Sequence, residues 1–273
     1  MTHHQKAADG NAKLLRGLRG HLPQPACYDD WHYRTQLNQA RAVTFGIEHF
    51  RAQAPYCRGT IVWQLNDCWP ATSWSAIDGD ARRKPLWYAL RRVYADRLLT
   101  VQGDSLAVVN DSDRPWSGEL SLTRRRLDGE LLAAATVEVA APARGVLRVP
   151  IPDELRRPAD PAEELLVATL GELRAVSFFG EDTEVSYPPA DYEARAEPVP
   201  GGYRVTVTAR TVLRDLALFP DRLDPRAAVD DMLLTLLPGE RAVFQVSTAE
   251  RLDPAELLRA PVLRCVNERR PAR

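Results

Sequence analysis

Between Thr60 and Trp74 the chain reads TIVWQLNDCWPATSW, which gathers three of its six tryptophans, Trp63, Trp69 and Trp74, around Asn66 and Asp67. A flat indole face suits the C–H face of a pyranose ring. Amide and carboxylate groups answer hydroxyls and supply specificity. The combination predicts a carbohydrate-binding wall built from Trp63, Asn66, Asp67, Trp69 and Trp74. The same residues fit a plainer arrangement, in which the indoles seal the rim of a core while Asn66 and Asp67 brace backbone turns.

The elements that must hold this stretch follow from periodicity. Residues 31–53, WHYRTQLNQARAVTFGIEHFRAQ, repeat apolar positions at three- and four-residue steps through Leu37, Ala40, Val43 or Thr44, Ile47 and Phe50. That spacing predicts a helix with one buried face. Asp29 or Asp30 caps its start and Pro55 ends it. Thr60, Ile61 and Val62 follow a glycine and predict a buried strand over Gly59–Leu65. A loop over 66–84 leads to a second helix over 85–98, with Pro85 in its first turn and Trp87, Leu90, Val93 or Tyr94, and Leu98 on one side. Helix, buried strand, loop and helix is the order of an α/β barrel or a doubly wound sheet. One strand and two helices close neither, so residues 1–98 are expected to expose apolar faces and to order poorly. The opening MTHHQKAADGNAKLL reads as loop.

Composition changes near residue 98, after which histidine disappears. SLAVVND, GVLRVPI, ELLVATL and ELRAVSFF are short alternating runs separated by NDSD, LDGE and PARG turns. They predict a β-sandwich over 99–187. SYPPADYEARAE reads as a linker into a second sandwich over 188–273, marked by YRVTVTARTV, LRDLALF, ERAVFQV and PVLRCVN. The expected class is multidomain, α/β plus all-β, with an α/β piece over 1–98 and two immunoglobulin-sized sandwiches.

The 36 basic and 37 acidic residues of the 273 give a net charge of −1, which offers nucleic acid or an anionic membrane no electrostatic attraction. The four cysteines, Cys27, Cys57, Cys68 and Cys265, show no CxxC spacing, so no metal site is expected and free thiols are the default. No apolar run reaches the roughly 18 residues of a membrane span, and no signal core opens the chain, which points to the cytoplasm.

YDDWHYRTQLNQARAVTFGIEHFR, then GTIVWQLNDCWPATSWSAIDGDARRKPLWYALRRVYA, closely resembles the C-terminal part of the β-mannosidases of glycoside hydrolase family 2. HHQKAADGN resembles the loop before that helix, and DDMLLTLLPGERAVFQV the family's last domain. The resemblance is dense over 3–98 and weaker, in consistent order, over 99–273. It implies the C-terminal piece of a (β/α)8 TIM barrel followed by two immunoglobulin-like domains. It implies a retaining exo-hydrolase that releases terminal β-D-mannose from a β-mannoside or manno-oligosaccharide, without a cofactor. Its two catalytic glutamates, about 5–5.5 Å apart as retention requires, would lie upstream of Met1, so no catalytic residue is expected in this chain and the missing N-terminal part is its expected partner. The resemblance also implies a cis peptide after Trp63. A β-galactosidase- or β-glucuronidase-type relative is the nearer rival, although WQLND departs from those families. A non-catalytic sugar-binding or scaffolding β-sandwich protein is the other.

Remaining residues carry less. Asn267–Glu268 and SFFGEDTE lack a barrel strand before them and are read as coincidental. Glu48, between Ile47 and His49, is expected on a solvated face, as are Arg92 and Arg124–Arg126. His3, His4 and Gln5 are candidates to border a substrate pocket, although an adjacent histidine pair on a loop is more often solvated. Trp31-His32-Tyr33 is expected to pack a helix on the barrel, and Asp78–Asp80 to form a turn rather than a calcium loop.

Overall fold

The computed structural model describes residues 3–268. Three helices come first: α1 (Gly10–Leu18), α2 (Tyr28–Ala52) and α3 (Pro85–Val93). The expected helix over 31–53 is α2. Asp29 and Asp30 lie in its first turn and His49 and Arg51 in its last, each sign opposing the helix dipole. Asp30 also reaches back to accept the Ala26 N–H at 3.2 Å. Leu37, Ala40 and Ile47 are buried as the spacing predicts, whereas Phe50 is exposed.

Several expectations change in this segment. The opening is not all loop, because residues 10–18 form α1 and bury Leu18. The expected helix over 85–98 stops at Val93, and Arg97 already begins a strand. The expected strand over 59–65 forms no ladder among the described residues. A buried strand needs neighbours for its N–H and C=O groups, and here Ile61 is 96% exposed.

Seven strands follow: β1 (Arg97–Gln102), β2 (Ser105–Asn110), β3 (Trp116–Arg126), β4 (Leu131–Ala141), β5 (Gly145–Pro150), β6 (Glu164–Leu170) and β7 (Leu173–Phe178), with a short helix α4 (Asp153–Arg156) between β5 and β6. They make antiparallel sheets of order β1-β2-β5 and β4-β3-β6-β7. Leu99, Leu106 and Val108 of one sheet share a core with Leu120, Leu122, Leu166 and Leu170 of the other, which is a sandwich. Arg124, expected in solvent, is turned inward and paired with Glu164, and Arg126 pairs with Glu163.

The last seven strands are β8 (Tyr192–Val199), β9 (Gly202–Ala209), β10 (Leu213–Leu218), β11 (Ala228–Val229), β12 (Leu234–Leu236), β13 (Arg241–Ser247) and β14 (Leu263–Arg264). Their sheets run β11-β13-β9-β8 and β12-β10-β14. In β9, Tyr203, Val205, Val207 and Ala209 face inward while residues between them face out. That is the period of two expected for a half-buried strand.

The chain divides into two compact units. One takes residues 1–40, 63–89 and 187–273, the other 41–62 and 90–186. In the first, Leu18, Leu22, Tyr33, Leu37 and Tyr88 join the core of the last sandwich. The Tyr88 hydroxyl donates to the Val229 carbonyl at 2.9 Å and the Tyr33 hydroxyl to that of Asp215 at 3.2 Å. Tyr33 thus packs on a sandwich, and the expectation that 1–98 lacks partners fails for these side chains. In the second unit Ala52 joins Leu98, Ala107 and Val109 in a small core. No helix is long and apolar enough to cross a membrane among the described residues, and none of the four cysteines is in a disulfide.

Glu48 is not on a solvated face. It accepts a 2.8 Å hydrogen bond from the Thr100 hydroxyl, and burial pushes its carboxyl up to about 7 despite that bond. A raised native pKa gives stability that is full below the unfolded value near 4.5 and is lost as pH rises through 7. Glu48→Gln keeps an acceptor for Thr100 and removes the titration. We expect it to match the parent below pH 4.5 and to exceed it by about 1–3 kcal/mol at pH 8 once partial exposure is allowed for. Urea unfolding at both pH values checks this.

Candidate functional site

Residues 63–84 are held by a few backbone bonds. The Asp67 N–H donates to Ile77 O at 3.0 Å, Ile77 N–H to Leu65 O at 2.8 Å, and Lys84 N–H to Ala76 O at 2.9 Å. Isolated bridges join Asn66 to Ile77 and Ile77 to Arg83. Asp78 closes the turn as expected. Its Oδ1 accepts the N–H groups of Asp80 and Arg82, both at 2.9 Å, and its Oδ2 meets Arg82 Nε at 2.8 Å. Gly79 in that turn presses on the 69–70 backbone, where an added Cβ would stand 2.5 Å from the Trp69 carbonyl carbon. The turn therefore requires glycine.

Asp67 locks the loop from within. Its Oδ2 accepts from the hydroxyls of Ser73 and Ser75, the latter at 2.6 Å, and lies 3.9 Å from Lys84 Nζ. The carboxylate side chain is only 7% exposed. Burial lowers the Lys84 pKa, opposed by Asp67 and Asp78. Of the two roles open in the sequence, bracing is the one this geometry serves. Asn66 is exposed and donates to Asp67 O at 3.2 Å.

The indoles point away from the brace. Trp63 is 74% exposed, and Trp69 and Trp74 are about half exposed. The Trp63–Gln64 peptide is cis, the geometry the resemblance implies. Lys6 Nζ stands 5.4 Å above the Trp69 ring. The Trp74 carbonyl accepts from Gln39 Nε2 at 2.7 Å.

A cavity of about 960 Å³ opens beside the loop. Its wall includes His4, Gln5, Trp31, His32, Gln36, Gln39, Trp74, Arg82, Asp221 and Arg222. Trp74 is thus the one member of the predicted five that lines it, whereas Trp63, Asn66, Asp67 and Trp69 do not. His4 and Gln5 border it, and His3 is not among its lining residues. His4 Nδ1 is 3.1 Å from Pro70 O, and the Thr72 N–H donates to His4 O at 3.0 Å. Trp31 and His32 sit on the cavity wall. Burial and the Arg222 charge hold the His32 imidazole down at about 4, so it is neutral at neutral pH. Gln36 Nε2 lies 3.0 Å from its Nε2. Burial raises the Asp221 carboxyl, opposed by Arg82. Gln36, Gln39 and Arg222 went unremarked in the sequence. The first two lie one helical turn apart from His32 and Thr35, a polar stripe that periodicity could have exposed.

The discounted glutamates stay structural. Glu268 pairs with Arg264, and Asn267 donates to Pro188 O and Val212 O at 2.9 and 2.8 Å. Among the described residues no group of histidine, cysteine, aspartate and glutamate side chains could hold a metal ion.

The brace can be tested directly. Asp67→Ala leaves two hydroxyls and an ammonium without their acceptor, so a loss of about 2–4 kcal/mol is expected in urea unfolding. A change within about 0.5 kcal/mol, the usual effect at an open surface position, would contradict the bracing role.

No family model matches the chain. The β-mannosidases B of Aspergillus niger and Aspergillus terreus are each 37% identical to it over 93 residues. Those residues are 33% of this chain and 11% of either relative, so the chain spans a small part of the length of the curated relatives it matches. The crystal structure of the β-D-mannosidase from Dictyoglomus thermophilum aligns with a TM-score of 0.78 at 21% identity, covering 98% of this chain and 34% of that one. The exo-chitosanase of Amycolatopsis orientalis, in complex with PNP-β-D-glucosamine, aligns with a TM-score of 0.65 at 18% identity, covering 97% and 37%. At these identities the alignments establish a shared fold. In sequence over a third of its length, and in fold over nearly all of it, this chain is similar to the C-terminal region of β-mannosidases.

Proposed function

We propose that the chain works as the C-terminal part of a family 2 retaining β-mannosidase. Residues 1–98 complete its barrel, and 99–187 and 188–273 are its two immunoglobulin-like sandwiches. The whole enzyme removes terminal β-linked mannose from the non-reducing end of a β-mannoside. Two glutamates supplied by the rest of that enzyme act as acid/base and nucleophile. Trp63 offers its face to the sugar being cleaved, Asn66 meets a hydroxyl, and Trp69 and Trp74 line or buttress the pocket. Asp67 serves by holding the loop that carries them.

The observation that carries this reading is the exposure of Trp63 on a loop locked by a buried carboxylate. A large indole left open on a braced segment is the arrangement a stacking platform needs, because little conformational freedom remains to be lost on binding. The stretch over 59–65 supports the barrel piece. Its apolar Ile61 and Leu65 are exposed and its backbone has no ladder, as for a strand whose neighbours come from other residues. The match to β-mannosidases in sequence favours a mannoside over the β-galactosidase- and β-glucuronidase-type alternatives. The fold alone does not separate these, since an exo-chitosanase shares it.

Two measurements test the proposal. The chain by itself should release no nitrophenol from nitrophenyl β-mannoside, and Glu268→Gln should change nothing. Turnover by the chain that dies with Glu268→Gln would sink the reading. Joined to a barrel that supplies both glutamates, it should turn over, and Trp63→Ala should then lower kcat at least about a hundredfold, roughly 2.7 kcal/mol of transition-state stabilisation. The same substitution should shift stability by no more than about 0.5 kcal/mol, given its exposure. Trp63→Phe should recover part of the rate and Trp63→Leu little. Equal losses of rate and stability would make Trp63 a packing residue.

A further inference from the structure

Of the five residues assigned to the cleaved sugar, the cavity beside the loop takes only Trp74, as a wall the two sites share. We propose that it is a second saccharide-binding site, taking an uncharged oligosaccharide between α2 and the 70–85 loop, apart from the sugar that Trp63 meets.

Size and lining both favour this ligand. A volume of about 960 Å³ is at the upper end of what ligand pockets enclose, roughly 300–1,000 Å³, and exceeds what one small ion needs. Trp31 and Trp74 bring indoles to the wall. Gln36 and Gln39 bring amides, each with two donors and an acceptor. Gln39 spends one amide hydrogen on Trp74 O, and Gln36 spends its Nε2 on the His32 carbonyl at 3.2 Å and the His32 ring at 3.0 Å, which leaves the Oε1 of each as an acceptor.

Most charges on the wall are paired with opposite charges or stacked on a ring, the Lys13 ammonium being an exception. Arg82 meets Asp78 and Asp80 at 2.8 and 2.7 Å, and Arg222 is paired with Asp29. The Arg83 guanidinium lies over the Trp87 ring at 4.1 Å, and Lys84 faces Asp67. An anionic ligand would have to break such pairs, and Asp221 beside Arg82 and Arg222 would oppose it. His32 adds no charge at neutral pH, since burial and Arg222 keep it as the free imidazole, which both donates and accepts. Beside the Lys13 ammonium, what remains on offer is apolar faces and neutral hydrogen-bonding groups, which suit a sugar better than a carboxylate or phosphate.

The proposal does not depend on hydrolysis and can be tested on the 273-residue chain as it stands. β-1,4-Mannotriose, cellotriose and inorganic phosphate are titrated in turn by calorimetry, with tryptophan fluorescence as a second readout. We expect at least one trisaccharide to bind and phosphate neither to bind nor to compete. Gln36→Ala and Trp31→Ala should each raise Kd about tenfold or more, Trp31→Phe should restore part of the loss, and Tyr56→Ala, at an exposed side chain outside the cavity, should leave Kd unchanged. Gln36→Ala removes a half-buried surface amide and keeps the test valid if Trp31→Ala misfolds. Failure of both trisaccharides to bind would overturn the proposal. So would competition by phosphate, or binding that vanishes with Trp63→Ala and survives Gln36→Ala. Binding that Gln36→Ala weakens and Tyr56→Ala does not, in a joined enzyme that hydrolyses no mannoside, would uphold this site and end the hydrolase reading.

Discussion

Arg264 is 3% exposed in its side chain, yet it carries a full charge into the core of the first unit. It meets Asp30 at 2.9 Å, is paired with Glu268, and lies 4.9 Å over the ring of Tyr33. A buried guanidinium is tolerated only while its planar donors stay matched, and losing one partner typically costs about 3–5 kcal/mol. The match demands that the first turn of α2 lie against β14. Asp29 and Arg222 repeat that tie one residue along the helix. Once these pairs are made, Trp31, His32 and Gln36 have their places, and the cavity wall follows from them.

The loop over 63–84 shows a division of labour among polar groups. The carboxylate that looked available for hydroxyls, Asp67, is consumed by Ser73, Ser75 and Lys84. The residues left open are aromatic. Rigidity thus comes from a small buried polar knot, and the exposed area comes from side chains that have few rotamers to lose. An exposed aromatic surface made this way separates the group that fixes position from the groups left open.

Much of the architecture was legible because it follows short periods. The inward faces of β9 and β13, the buried positions Leu37, Ala40 and Ile47 of α2, and the Asp78 turn all obey local rules. Errors arose where a residue's fate depended on distant partners. Thr60-Ile61-Val62 carries strand propensity, but propensity supplies no neighbour to bond. α1 hides in a nine-residue run with glycine at its start and near its end. Glu48 sits between Ile47 and His49, neighbours that report little of its burial, yet it falls four residues after Thr44 and eleven after Leu37, on the buried side of the helix. The Ser73 and Ser75 hydroxyls that occupy Asp67 are six and eight residues away in a loop, where no period reports contact. The exposure of Trp63 likewise depends on what lies beyond its neighbours in sequence.

The first unit is assembled from three separated stretches, and this has a consequence for how the chain is made. Leu18, Leu37 and Tyr88 leave the ribosome well before the strands that cover them. The second of the three stretches is complete roughly a hundred residues before the third begins, a wait of about 5–20 s at ordinary rates of synthesis. During that interval the buried side of α2 has no β10 or β14 to rest on. The nascent protein therefore passes through a stage in which an amphipathic helix is finished and uncovered, a form that molecular chaperones bind and that other nascent chains can capture. Slowing translation within 90–186 would lengthen that stage, and placing slow codons after residue 268 would not.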